Sequence, residues 1–249
     1  MKTNTLFFFL AALLFGFSCK KSEVATSDFA CDKITKITKQ SFGDLTMIIE
    51  YINGKISKVY RADGKGLVEN YTYKSATELL ITRNFTDGSI GNTFNTILND
   101  KGYFLRFVTE GYSINYIYDS NGYLISNATT YPNASQNTNT TYSYLNNNRT
   151  QGLTYTNKVL SYTEDFTYYE DKLNKVDNFG NQNRPDFYGK FSNNLVKTYK
   201  ITYPDKKFDL YEYSYEQNIN GFVKTLTEKY TDQTGKITSQ VNKYEYDCL

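Results

Sequence analysis

The 249-residue chain has no histidine and no tryptophan, and it holds only three prolines, three cysteines and two methionines. Without histidine there is no imidazole base, no Ser-His or Cys-His dyad, and none of the commonest metal ligand. So few cysteines argue against a zinc site built on thiolates. Neither a GxxxxGK[ST] nor a GxGxxG run is present to cradle phosphate. No window repeats apolar residues at the 3.6-residue spacing of a helix. An excess of one charge is missing too. Residues 1–18 contain Lys2 and no acid, so the rest of the chain sets 27 basic groups against 26 acidic ones. That balance offers nothing to a nucleic acid, and none is expected as partner.

These absences leave little chemistry. Asp119-Ser120-Asn121-Gly122 has the look of a calcium loop, but its glycine falls two positions early and Thr130 stands where a bidentate Glu is required. A hairpin turn accounts for it better, and no metal or cofactor is expected. Glu164-Asp165 and Glu170-Asp171 are the densest acids. Both pairs read as solvated charge in or beside turns, so the chain is expected to be non-catalytic, a carboxylate-dependent glycan-active enzyme being the lesser alternative.

The N-terminus carries an address. Met1-Lys2 precedes an apolar run from Leu6 to Phe17, then Ser18-Cys19-Lys20-Lys21. One basic residue, a short hydrophobic core and a small residue before a break form a secretory signal over residues 1–18. Ser18-Cys19 resembles the end of a bacterial lipobox, which makes Cys19 the expected acylation site, although Gly16 stands where that pattern prefers an aliphatic residue. Residues 19–30 are then a polar tether and residues 31–249 the folded domain. With Cys19 committed, Cys31 and Cys248 remain. In an exported protein they are expected to form a disulfide spanning nearly the whole domain, the alternative being two buried thiols.

What is abundant is aromatic: 25 Tyr and 17 Phe. They fall at period two, as in strands with one buried face. Tyr112, Ile114, Tyr116 and Tyr118 share one face, with Ser113 and Asn115 on the other; Tyr211, Tyr213 and Tyr215 alternate with Glu212 and Ser214. Phe222–Tyr230 breaks the rule by mixing Lys224 and Glu228 into its apolar face, which predicts a bulge or an exposed extension. Turn signals separate the runs in two interleaved series. One includes Asn53-Gly54, Asn121-Gly122, Asn146-Asn147-Asn148, Glu170-Asp171-Lys172 and Ser192-Asn193-Asn194. The other includes Asp87-Gly88, Pro132–Thr138, Thr156-Asn157-Lys158, Asp177–Asp186 and Asp232–Gly235. With a first turn near Phe42-Gly43, the count is about 17 turns and about 18 strands.

The expected fold is all-β: an antiparallel up-and-down meander of about 16–18 strands forming a flattened barrel or a curved half-barrel. In such a meander alternate turns lie at opposite ends. The short first series, both domain cysteines and the tether share the proximal end. The longer loops of the second series share the distal end, where Pro132, Asn133 and Gln136, and Asn181, Arg184 and Asp186, are the candidate partner-contact residues. Many strands look too short to cross a bilayer, and mean hydropathy is −0.58. A lipid-tethered domain standing in water is therefore expected rather than a spanning barrel.

Tyr116-Ile117-Tyr118-Asp119-Ser120-Asn121-Gly122-Tyr123-Leu124 resembles the tyrosine-aspartate (YD) repeat of bacterial wall-associated and Rhs-type proteins. Together with Ser18-Cys19-Lys20-Lys21, residues 31–249 resemble uncharacterised Bacteroidota lipoproteins with a porin-like fold. The resemblance implies a barrel-like meander in the cell envelope and carries no functional residues with it. Lys20-Lys21 lacks the acidic run associated with surface export in that group, so an outer-membrane lipoprotein facing the periplasm is expected. The expected role is a binding or interaction module for a glycan, a peptide or an envelope protein; the alternative is a structural protein with no ligand. A tyrosine-lined cavity of several hundred Å³ would favour binding, and a filled interior the structural role.

Overall fold

A computed structural model of the chain describes residues 31–39, 45–175 and 187–248. Cys19 and the tether, the turn near Phe42-Gly43, and Asn181, Arg184 and Asp186 lie outside the described residues. The strands are β1 (Cys31–Lys39), β2 (Leu45–Ile52), β3 (Lys55–Arg61), β4 (Leu67–Tyr73), β5 (Glu78–Phe85), β6 (Ile90–Leu98), β7 (Phe104–Val108) and β8 (Ser113–Tyr118). They continue as β9 (Leu124–Thr130), β10 (Thr138–Leu145), β11 (Asn148–Thr156), β12 (Val159–Leu173), β13 (Asn194–Thr202), β14 (Phe208–Gln217), β15 (Val223–Thr231) and β16 (Ile237–Cys248). Each pairs antiparallel with its neighbours in sequence, and β16 pairs with β1 to close the barrel. Closure leaves no sheet edge for stray pairing.

Sixteen strands, an even number, return the last strand to the end where the first begins, and the register sets Cys31 opposite Cys248. The count falls two short of the 18 expected from the turns. Glu170-Asp171-Lys172 is not a turn; it lies within the 15-residue β12. Between Leu173 and Asn194 the sequence reads as three turns and two strands; the described residues of that stretch, Asn174–Lys175 and Phe187–Asn193, form no barrel strand. Its described ends lie at the proximal end, and Asp177–Asp186 lies outside the described residues. The distal assignment of Pro132–Thr138 does hold: it joins β9 to β10 opposite the Asn121-Gly122 turn and contains a short 3-10 turn, Ala134–Gln136, capped by Asn133.

Turn chemistry fixes the hairpins. Asn53-Gly54 (φ 50° and 74°), Asn146-Asn147 (50° and 62°) and Asn157-Lys158 (48° and 68°) are two-residue turns with both centres left-handed, the twist that matches paired strands. A second design explains the YD-like repeat. In Asn99–Gly102, Asp119–Gly122, Asn218–Gly221 and Asp232–Gly235 the glycine N–H donates to the carbonyl of the first residue. The side-chain Oδ1 of that same residue accepts from the backbone N–H that starts the next strand, at Tyr103, Tyr123, Phe222 and Lys236. The Asp or Asn is therefore a turn cap rather than a calcium ligand.

The tyrosine faces point inward. Tyr116 and Tyr213 are buried while Ile117 is 57% exposed. The bulge expected near Lys224 is present: the β14–β15 register shifts between Glu216 and Gln217, which turns Lys224 outward and keeps Val223 and Leu226 buried. A barrel of 16 strands ordinarily leaves a water channel. Here rings from several walls meet around a segment of the β12–β13 connection. Phe187 lies stacked on Phe104 with centroids 4.6 Å apart and on Tyr71 at 5.9 Å. Phe187 is 2% exposed and Phe104 fully buried. Part of a connection thus works as a plug.

Candidate functional site

The plug is pinned at several points. Lys190 N donates to Gly122 O at 2.8 Å, Asn193 N donates to Asn147 O at 3.2 Å, and Tyr118 Oη donates to Phe187 O at 3.4 Å. Asn148 and Asn194 exchange two hydrogen bonds of 3.0 Å, one side chain to side chain and one backbone to side chain. Gly189 must be glycine: its φ is +82°, and a Cβ there would meet Gly122 O at 2.5 Å.

Beside residues 188–192 the barrel holds a half-open cavity of about 300 Å³. Its apolar wall includes Ile114, Leu124, Phe166 and Val196; its polar groups are Asn127, Tyr142, Arg149, Tyr168, Asn174 and Ser192, with Lys190 and Phe191 near the mouth. Arg149 dominates it. The guanidinium carbon lies 4.3 Å from the centre of the Tyr142 ring, 5.8 Å from that of Phe166 and 5.9 Å from that of Tyr144, within the range of a cation–π contact. Arg149 Nε donates to Tyr144 Oη at 3.4 Å, its backbone N donates to Ser192 Oγ at 3.0 Å, and its carbonyl accepts from Tyr168 Oη at 2.6 Å. Burial pushes the Tyr142 phenol up to about 12 even though the Arg149 cation pulls the other way. Asn127 Nδ2 donates to Tyr142 Oη at 3.0 Å. Asn174 is 9% exposed; its Nδ2 donates to Ser192 O at 3.2 Å, which fixes the amide orientation, and its Oδ1 has no partner.

Carboxylates on the inner wall are provided for. Glu69 takes Arg83 Nε at 2.7 Å and Tyr71 Oη at 2.7 Å. Asp209 accepts from Tyr203 at 2.8 Å and Tyr230 at 3.0 Å, and Glu164 accepts from Tyr199. Glu164, which the sequence places in a solvated turn, faces inward from β12, while its neighbour Asp165 faces out and accepts from Gln151 at 3.2 Å. One carboxylate on each side of the wall is not a catalytic pair. Glu170 and Asp171 are exposed at the end of β12.

Outside, the wall mixes polar and apolar residues: Ile97, Leu105 and Ile117 are exposed on β6, β7 and β8. Asn115, Thr141, Ser143, Asp165, Thr167 and Ser214 are exposed. Glu212 and Lys229 face each other across β14 and β15 in an ion pair of 2.6 Å. Strand length does not separate a spanning from a non-spanning barrel as expected, because half of the strands have nine residues or more.

Pro132, Asn133 and Gln136 belong to the distal β9–β10 loop, far along the barrel axis from the Arg149 cavity; an open depression of about 510 Å³ beside them is lined by Ala134, Asn137, Thr138, Asn139, Tyr155, Asn157 and Lys158. Sequence reasoning did not find Arg149. Alternation along β11 would group it with outward Gln151 and Leu153. A register shift between Ser143 and Tyr144 of β10 pairs Tyr144 with Arg149 and turns the arginine inward.

A closed, up-and-down, sixteen-stranded barrel with a plugged lumen defines the class as porin-like in fold. The chain is similar to a porin-like protein from Bacteroides uniformis, with a TM-score of 0.65 and 14% identity over 86% of this chain and 96% of that one. It is also similar to a porin-like protein from Bacteroides vulgatus, with a TM-score of 0.51 and 12% identity over 87% and 99%. At such identities the likeness concerns the fold alone. No family model and no curated protein matches the chain.

Proposed function

We propose that this is a non-catalytic binding module of the bacterial cell envelope, tethered through acylated Cys19, with its barrel standing in water and its ligand held in the lumen. The half-open cavity, lined by rings, aliphatic side chains and polar groups, carries the reading, because it has the mixed lining of a small-molecule site. The outer wall supports the placement in water. In a bilayer the Glu212–Lys229 pair would sit in hydrocarbon, where one lysine alone costs about 2–4 kcal/mol near the midplane. A disulfide between Cys31 and Cys248 would lock the first strand to the last. Cys31 and Cys248, paired at the proximal end of the barrel, leave Pro132, Asn133 and Gln136 as distal contacts for an envelope partner. Native mass spectrometry of the protein recovered from its own envelope tests the luminal site. The expected result is a small organic adduct on the wild type that is lost from Val196→Trp, which fills the cavity. Adduct-free protein, or an adduct indifferent to that substitution, would overturn the reading in favour of a structural role.

A further inference from the structure

We infer that the occupant of the luminal site is a small organic anion: a carboxylate held by Arg149, on an apolar body. This assignment rests on the lumen being a ligand site. The first ground is a charge left over. Glu69, Asp209 and Glu164 each have partners inside the barrel. Arg149, by contrast, pairs with no carboxylate among the described residues, and only its Nε donates, leaving both Nη groups free to do so. Its neighbours are ring faces, which stabilise a cation but accept few hydrogen bonds. A guanidinium retained in this state is set to receive an anion in its planar fork.

The second ground is the lining. Among the described residues the cavity lining has two cationic residues, Arg149 and Lys190, and no Asp or Glu. Most of the remaining wall is apolar or aromatic, from Ile114, Leu124, Phe166 and Val196. One guanidinium and an apolar wall suit a single carboxylate on a hydrophobic body better than a phosphate, whose additional charge would find few donors. About 300 Å³ is the volume of roughly ten waters, which limits the occupant to a small acid rather than a chain.

The test uses the full chain and two probes of the same shape, benzoate and its neutral amide, benzamide, followed by titration calorimetry at constant ionic strength. Benzoate is expected to bind and benzamide to bind at least tenfold more weakly. Arg149→Met should weaken benzoate by roughly ten- to hundredfold without affecting benzamide, and Arg149→Lys should retain part of the affinity. The contrast between probes on the wild type stands even if a variant fails to fold. Equal binding of both probes, unchanged in Arg149→Met but blocked by Val196→Trp, would overturn the anion assignment and leave the luminal site in place. If neither probe binds, crystals soaked in bromide decide: bromide at the Arg149 Nη groups, lost in Arg149→Met, upholds the anion site, and its absence overturns it. The adduct measurement on envelope-derived protein still judges the luminal site separately.

Discussion

Phe104→Ala is expected to lower the stability of the barrel by about 3–5 kcal/mol, the largest effect of any single truncation. Phe104 is fully buried, and its ring meets those of Phe107, Tyr116, Phe187 and Tyr188 with centroids 4.6–6.2 Å apart. Removing it takes away the transfer energy of a phenyl group and leaves a void that the surrounding rings cannot all close. In a domain of this size the loss corresponds to a melting point lower by very roughly 6–20 °C. Phe187→Ala removes the ring stacked on it and should cost a similar amount, but with a different signature. Phe187 belongs to the plug, not to a strand, so its loss should raise amide exchange at residues 188–192 while strand protection is retained. Ile219→Ala, at a fully exposed turn tip, is the control and should change stability by less than about 0.5 kcal/mol. Chemical denaturation of the three variants checks the set. Equal effects for Phe104 and Ile219 would mean that the lumen is not packed as described.

Alkaline pH should unfold the protein in one cooperative step. Tyr116, Tyr118, Tyr142, Tyr199 and Tyr213 all have phenols pushed above the ordinary value, in each case chiefly by burial, with Tyr142 reaching about 12. The native state thus holds these protons when the unfolded chain, with phenols near 10, has released them. Unfolding then gives up protons, so stability is fully present below about pH 10 and falls as pH rises from there towards 12 and beyond. The phenolate absorbance of the inner tyrosines should appear together with the loss of the far-ultraviolet β signal. A smooth titration of all 25 tyrosines near pH 10, with the β signal intact, would show that the lumen is wet.

The wall of the barrel was legible because its pattern is local. Tyr112 to Tyr118 alternates with polar residues, and that period alone assigns an inner and an outer face. Asn53-Gly54 and Asn146-Asn147 announce left-handed turns that few other residues make cheaply. Closure followed from the even meander and the cost of an open edge. The plug was not legible. Phe187-Tyr188 has the appearance of a short strand, and its burial depends on rings from β4 and β7 that lie far away in sequence. Glu170-Asp171-Lys172 reads as a turn by composition, yet at a barrel end a strand can be solvated on its outer face and tolerate three charges. Arg149 was hidden for a third reason. One unpaired residue at a bulge inverts the parity of what precedes it, and nothing in Asn148-Arg149-Thr150 marks that inversion. Core was therefore readable from pattern, whereas the site depends on the exceptions to pattern.

Those exceptions also define the physical division of the molecule. Outside, Glu212 and Lys229 pair in a setting suited to water; inside, Arg149 pairs with no carboxylate among the described residues and lines a cavity beside the plug. The outer wall decides whether the barrel serves as a channel or as a container. Sedimentation of the full chain carrying Cys19→Ser, after release of residues 1–18 and without detergent, is the most direct measurement of that choice. A discrete species in plain buffer that neither enters liposomes nor conducts ions across a planar bilayer is the predicted result. Aggregation that only detergent reverses, accompanied by stepwise conductance, would contradict it.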